Sequence, residues 1–370
     1  YHQYAEGKEP LAVGTVERVF ENGTIKYADG KFVPVGNFHT DIQNAELEVN
    51  TGASEECVLK YYNETIGEGY YFTNADNSGD TTKYTAEQVS ELAKNGPVNF
   101  KAYYAVAEET YELGVVHSEV KASVAYDAET DKYTVTATVT LKSPDNSIDI
   151  TEEVGVYDAS TGKGYYFEFT DDKGTKSTQE QLNNRFEGFT GKAEIYYQCG
   201  DGKTVVKAGE VERVLESTEL TYENEVFVPK GTFHTEVRSL DGSQTLKTIY
   251  ISEGKECVLS YYDETLDEGY YFEDASGNKY TAETATALIK SEPSSFEVHY
   301  KDGENIADIG NVESSISSAI ERGENHTYPV TSTITVKYGE NSFTLDNTPV
   351  YYDETSKNYY YYKWSDTNGN

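Results

Sequence analysis

The chain has no methionine, one tryptophan and three cysteines among its 370 residues. It is also poor in positive charge: 30 Lys and Arg stand against 65 Asp and Glu, a formal net charge of −35. A phosphate backbone is held by neutralising it with Lys and Arg, so nucleic acid is not an expected partner. An anionic membrane surface is disfavoured for the same reason. No apolar run is long enough to cross a bilayer, and no membrane insertion is expected. Such a charge favours solubility and mutual repulsion between neighbouring units.

The cysteines are too few and too scattered for a disulfide framework. Cys57 and Cys257 occupy matching places, each followed by Val-Leu, while Cys199 lies elsewhere. No unit defined below contains two of them, and the expectation is ordinary strand residues. No CxxC or Cys/His cluster marks a zinc site, so no metal or other cofactor is expected. The sparse cysteines and missing methionine are compatible with an extracellular or cell-surface location.

What the chain does have is tyrosine, 34 residues of it, much in one recurring segment. Tyr61-Tyr62-Asn63-Glu64-Thr65 leads to Gly69-Tyr70-Tyr71-Phe72. The later copies are Val156-Tyr157-Asp158 leading to Gly164-Tyr165-Tyr166-Phe167, Tyr261-Tyr262-Asp263 leading to Gly269-Tyr270-Tyr271-Phe272, and Tyr351-Tyr352-Asp353 leading to Tyr359-Tyr360-Tyr361. The copies start 95, 105 and 90 residues apart. That spacing is too long for a solenoid and fits a string of small domains. Each copy reads as two aromatic strands joined by a tight acidic turn.

Around the motif the chain reads mostly as strands. Tyr133 to Val139 alternates strictly, as does Thr331 to Val336, the pattern of half-buried strands. Asn22-Gly23 is a turn signal. After each motif comes one short helix, started by Thr85 with Gln88, Ser177 with Glu180, and more weakly Thr281 with Thr284. The expected fold is mainly β: tandem antiparallel β-sandwich (Ig-like) domains, each with one short helix. β-Grasp-like α+β repeats are the alternative. The expected boundaries are a closing hairpin at 1–18, repeats at 19–116, 117–211 and 212–310, and an incomplete repeat at 311–370. Copies one and three resemble each other more than they resemble two and four, so two module types alternate.

The candidate sites reduce to structural ones. The acidic pairs Asp263/Glu264 and Asp353/Glu354 become Asn63/Glu64 and Asp158/Ala159 in the other copies, so acid–base chemistry does not travel with the repeat. His39 and His234 recur in Phe-His-Thr with no second ligand evident in sequence. In each tyrosine pair adjacent residues point to opposite faces, so one ring is expected in the core and its neighbour on the sheet surface. Tyr271 is the residue assigned to the core. Asn22, Asn63 and Asn325 each begin an N-glycosylation acceptor pattern.

The expected function is a non-catalytic structural protein, a tandem-repeat rod or filament subunit. A surface adhesin binding a host protein or glycan through its repeats is the alternative. The segment from Tyr1 to Val13 resembles the hairpins that close later repeats. The fourth copy stops at the turn that precedes a helix in the others. Head-to-tail strand addition between chains is therefore one expectation, and a piece of a longer array is the other.

Overall fold

The computed structural model describes residues 2–3, 11–44, 46, 48–240, 245–324, 329–347, 350–351 and 359–360. The chain is mainly β, with several antiparallel sheets and, among the described residues, three short helices. These are α1 (Ala86–Asn95), α2 (Gln179–Arg185) and α3 (Ala282–Ser291).

Three long strands organise the sheets: Glu109–Asp127, Val205–Glu223 and Asn305–Ile320. Each pairs at its start with the strand that follows a helix, and at its end with the first strand of the next repeat. The boundaries 116/117, 211/212 and 310/311 thus fall inside continuous strands, with no loop linker at those positions. A register shift interrupts each long strand near its start, opposite Ala102/Tyr103, Ile195/Tyr196 and Val298/His299 on the partner strands. An extra residue on one side of an antiparallel pair bends the strand and raises its twist. One strand can then serve two successive cores.

Those cores are built alike. The first draws Ile25 and Phe32 from one hairpin, Tyr70 and Phe72 from the motif strand, Val89 and Ala93 from α1, and Phe100 and Tyr104 from the next strand. The second and third repeat this with Phe167 and Leu182, and with Phe272 and Ile289. The alternating strand Lys132–Ser143 buries every second residue from Tyr133 to Leu141. The hairpin strand Val226–Leu240 does the same.

Each helix begins as its cap chemistry requires. Thr85 accepts from the Gln88 amide, and the Gln88 side chain accepts from the Thr85 amide. In the second repeat the cap is Thr178 with Gln181, one residue later than the Ser177 and Glu180 expected from sequence. Ser177 is committed elsewhere: its backbone exchanges hydrogen bonds with Phe167 at 2.8 and 2.9 Å. Thr281 caps α3 through the Thr284 amide. Buried hydroxyls then tie helix to hairpin. Ser90 accepts from the Phe32 amide and donates to the Ala86 carbonyl, and Thr286 does the same for Phe227 and Ala282.

Asn22-Gly23 is not a turn. It lies inside the strand Gly14–Ala28, just after a register shift between Phe20 and Asn22. The chain reverses at Asp29-Gly30, where both φ angles are positive, at 52° and 77°. A two-residue loop with that backbone twist matches the flanking strands.

The pieces at the two ends are only partly described. His2 and Gln3 pair antiparallel with Ala12 and Leu11. Most of Tyr1 to Val13, the site Asn325, and Tyr352 and Tyr361 of the fourth motif lie outside the described residues.

Candidate functional site

The tyrosine motif is not the simple antiparallel hairpin its sequence suggests. Tyr61 bridges Tyr70 in the parallel sense, while Asn63 bridges Glu68 antiparallel two residues on. The same pair of bridges joins Val156 to Tyr165 and Asp158 to Lys163, and Tyr261 to Tyr270 and Asp263 to Glu268. In the fourth copy Tyr351 meets Tyr360, also parallel. The crossing depends on Gly69, Gly164 and Gly269, whose φ values are +126°, +131° and +125°. A Cβ on Gly69 would lie 2.7 Å from the Tyr61 carbonyl oxygen and Tyr62 backbone, so a side chain there meets both strain and collision.

The acidic residues in this loop shape the turn. The Asn63 side chain accepts from the Thr65 amide at 2.9 Å, Asp158 from Ser160 at 2.8 Å and Asp263 from Thr265 at 2.7 Å. Local side-chain acceptors of this kind explain why Asn or Asp recurs while the next residue varies.

The two rings of each later pair face opposite ways. Tyr70, Tyr165 and Tyr270 enter the cores beside Phe72, Phe167 and Phe272. The hydroxyls of Tyr70 and Tyr270 accept from Ala86 and Ala282, the first amides of α1 and α3, each at 3.3 Å. Burial pushes both phenols above the usual range. Tyr271, assigned to this core from sequence, is buried but belongs to the opposite face, as does Tyr166. Tyr71 on that face is only half-buried.

On the opposite face each of the first three repeats holds a lysine over two tyrosines. Lys83 Nζ sits 3.2 Å from the ring centre of Tyr62 and 4.6 Å from that of Tyr71. Lys176 lies 3.7 and 4.9 Å from Tyr157 and Tyr166, and Lys279 lies 3.7 and 4.1 Å from Tyr262 and Tyr271. The paired rings meet edge to face at 5.5, 5.8 and 5.7 Å. A third ring completes each cluster: Tyr103, Tyr196 or His299. Each lysine stands two residues before the helix cap, in Lys83-Tyr84-Thr85, Lys176-Ser177-Thr178 and Lys279-Tyr280-Thr281. Sequence reading missed these lysines; their fixed offset from the cap was the available signal.

A cavity of about 450 Å³ adjoins the first cluster, lined by Tyr61, Tyr62, Glu64, Thr81, Thr82 and Lys83. Tyr61 and Tyr261 are exposed, and the Tyr61 hydroxyl donates to the Lys83 carbonyl at 2.8 Å. A sugar stacks on an open ring face, but Lys83 already occupies one face of Tyr62.

The two recurring histidines do carry companions. His39 Nδ1 lies 2.7 Å from Glu21 and its Nε2 3.5 Å from Asp41. His234 repeats this with Glu216 at 2.8 Å and Glu236 at 3.3 Å. The carboxylates approach opposite ring nitrogens, so they cannot share one ion with the imidazole. Among the described residues no group of three or more His, Cys, Asp or Glu has metal-binding geometry. Cys57 and Cys257 are half-buried free thiols and Cys199 is a buried one. Asn22 and Asn63 are exposed.

A groove of about 500 Å³ lies at the junction of the second and third repeats. Its buried centre is Glu268. Glu268 Oε1 accepts from the Thr190 amide, from the Thr190 hydroxyl at 2.6 Å and from the Tyr300 hydroxyl at 2.6 Å. Burial raises its pKa above the ordinary carboxylate value, although these donors favour the charged form. Ser260 secures the same contact, its amide and hydroxyl donating to the Gly188 and Glu187 carbonyls at 3.3 and 2.9 Å. At the preceding junction the Asp201 amide donates to the Asn95 carbonyl at 3.1 Å. Sequence reading singled out none of these contacts. Compared with protein-family models, with curated proteins and with solved structures, the chain finds no match in any of the three.

Proposed function

We propose that this chain is a non-catalytic structural protein of the cell surface or extracellular space, a rod of tandem Ig-like β-sandwich modules. The observation that carries the reading is the continuity of the long strands through successive cores, with packed contacts such as Glu268 to Thr190 between neighbours. Domains joined by loops are expected to move relative to one another, whereas a shared strand restrains that motion. Each core takes side chains from two sheets as well as the helix, which favours a sandwich over a β-grasp arrangement. The acidic surface suits an extended particle that repels its neighbours laterally. Its partners are then modules of its own kind, in the same chain or in another copy.

The adhesin reading is favoured only by the cavity beside Tyr61 and Tyr62. The lysine over each aromatic pair weighs against glycan stacking there. Small-angle scattering of the whole chain tests the rod: an elongated particle of constant cross-section is expected. A compact globule, or specific saturable capture on a glycan array, would overturn the structural reading.

A further inference from the structure

The groove at Glu268 pairs residues from two repeats, and the aligned positions elsewhere show which modules can make that pair. Counting back from Tyr104, Tyr197 and Tyr300, the place of Thr190 is held by Pro97 in the first repeat and Pro293 in the third. Counting back from Tyr70, Tyr165 and Tyr270, the place of Glu268 is held by Glu68 in the first repeat and Lys163 in the second. The glutamate faces thus belong to repeats one and three, and the threonine turn to repeat two.

The chemistry of the contact makes this pairing selective. Glu268 receives both the amide proton and the hydroxyl proton of Thr190. Proline has neither donor. A turn carrying Pro97 or Pro293 set against a buried glutamate would leave that carboxylate with no cross-repeat donor, and burying such a group is costly. Lys163 makes its ion pair within its own repeat, with Glu152 at 2.7 Å.

The first repeat presents the same acceptor without an occupant among the described residues. The Tyr104 hydroxyl donates to Glu68 Oε1 at 3.0 Å, as Tyr300 does to Glu268. Glu68 is half-buried, while Glu268 is 5% exposed. Ile66 beside it is 64% exposed, whereas the aligned Leu266 lines the junction groove and is half-buried.

We propose that the Glu68–Tyr104–Ile66 face is a docking surface for the turn after the helix of a repeat-two-type module, the Phe-Thr-Gly turn at 189–191. It refuses the proline-bearing turn of a repeat-one-type module. The glutamate–threonine pair thereby keeps one repeat-one-type module from following another. This deepens the rod reading and rests on it, since it takes the modules as the units that assemble.

The test uses a longer chain in which residues 1–198 are followed directly by residues 4–370. The join is seamless because Tyr4 to Gly14 aligns with Cys199 to Gly209 without a gap. With the native cysteines changed to serine, Ile66→Cys in the second copy supplies one reporter thiol. Maleimide should label it several-fold more slowly than the same substitution in the native chain, because the aligned Leu266 is half-buried at the formed junction whereas Ile66 is 64% exposed. Thr190→Pro in the first copy, or Glu68→Ala in the second, should restore fast labelling. Fast labelling in a longer chain with native exchange protection overturns the proposal, and so does slow labelling that survives Thr190→Pro. Should the longer chain not fold, a cyclised peptide of residues 185–192 is added to the native Ile66→Cys protein instead. Protection at millimolar peptide, abolished by Glu68→Ala, is expected, and its absence overturns the docking surface. Fast labelling with an elongated particle defeats the docking surface alone; a compact particle defeats the rod reading first.

Discussion

Replacing Glu268 probes the joint between the second and third repeats. Glu268→Ala strips the acceptor from the Thr190 amide, the Thr190 hydroxyl and the Tyr300 hydroxyl. A buried donor left unpaired costs about 1–3 kcal/mol. The Thr190 amide can fall back on the Tyr300 oxygen at 3.1 Å, so two donors remain to be satisfied. The adjoining groove is open enough to admit water, which lowers the cost further. The expected loss is therefore about 2–4 kcal/mol, confined to the joint. Glu268→Gln keeps an oxygen of the same shape and should cost about 1 kcal/mol or less at neutral pH. The two forms should also differ in pH dependence. Burial raises the folded-state pKa of Glu268 above its usual 4.5. Between that usual value and the raised one, the folded state binds the proton that the unfolded state has released. The wild-type joint therefore loses stability as pH climbs through this window, relative to Glu268→Gln, and recovers it below. A chain with several cores need not unfold in one step, so a global melting curve is the wrong assay. Hydrogen exchange of peptides covering 187–192 and 258–268 reads the joint directly. Unchanged protection of the Thr190 amide in Glu268→Ala would refute the role given to this carboxylate. A wild-type-minus-Gln difference that grows with rising pH would refute the sign.

The two faces of the motif strand should respond differently to substitution. Phe272→Ala should destabilise the third core by about 3–5 kcal/mol, because it removes a fully buried ring from among Tyr270, Phe296 and Phe227. Lys279→Met should cost only about 0.5–1 kcal/mol, the range for an exposed cation over aromatic rings, and exchange protection within α3 compares the two. The thiols should separate in reactivity: burial pushes Cys199 up to about 11, so at pH 8 an aromatic disulfide reagent should modify Cys57 and Cys257 well before it. Equal rates for the three would contradict the packing of Cys199.

The sequence showed most where a local rule acts alone. The alternation from Tyr133 to Val139 is a strand because β-branched residues fill one buried face and polar ones the other. Thr85 and Thr281 are caps because a hydroxyl there meets an orphan amide. Where two local rules competed, the tertiary contact decided. Ser177 and Thr178 both offer a hydroxyl, and the bridge from Ser177 to Phe167 left the cap to Thr178. Asn22-Gly23 has the composition of a turn, but the neighbouring strand at Val35 passes so close that only glycine fits at position 23. The tyrosine loop misled for a similar reason: its parallel and antiparallel bridges require a left-handed glycine that composition alone could not place. The lysine clusters went unread because a cation over a ring joins residues 12 positions apart in the first repeat and 8 in the third, as Lys83 with Tyr71 and Lys279 with Tyr271.

The joints were the least legible part, and the reason bears on how such a chain keeps its order. Pro97 and Pro293 stand two residues beyond the ends of α1 and α3, and Thr190 five residues beyond the end of α2. Each lies outside its helix, so the helix imposes no choice between them. The choice acquires meaning only when the turn meets a carboxylate from the next module. A hydrophobic contact would accept either residue, since an apolar patch discriminates weakly between similar shapes. A buried glutamate discriminates through the donors it must be given, because the wrong partner leaves it unsatisfied. The three described cores share a plan, with Phe72, Phe167 and Phe272 in equivalent places. That shared plan by itself does not say which module follows which. On the proposed reading that information resides in single polar pairs at the joints, where one N–H and one hydroxyl separate a permitted neighbour from a forbidden one.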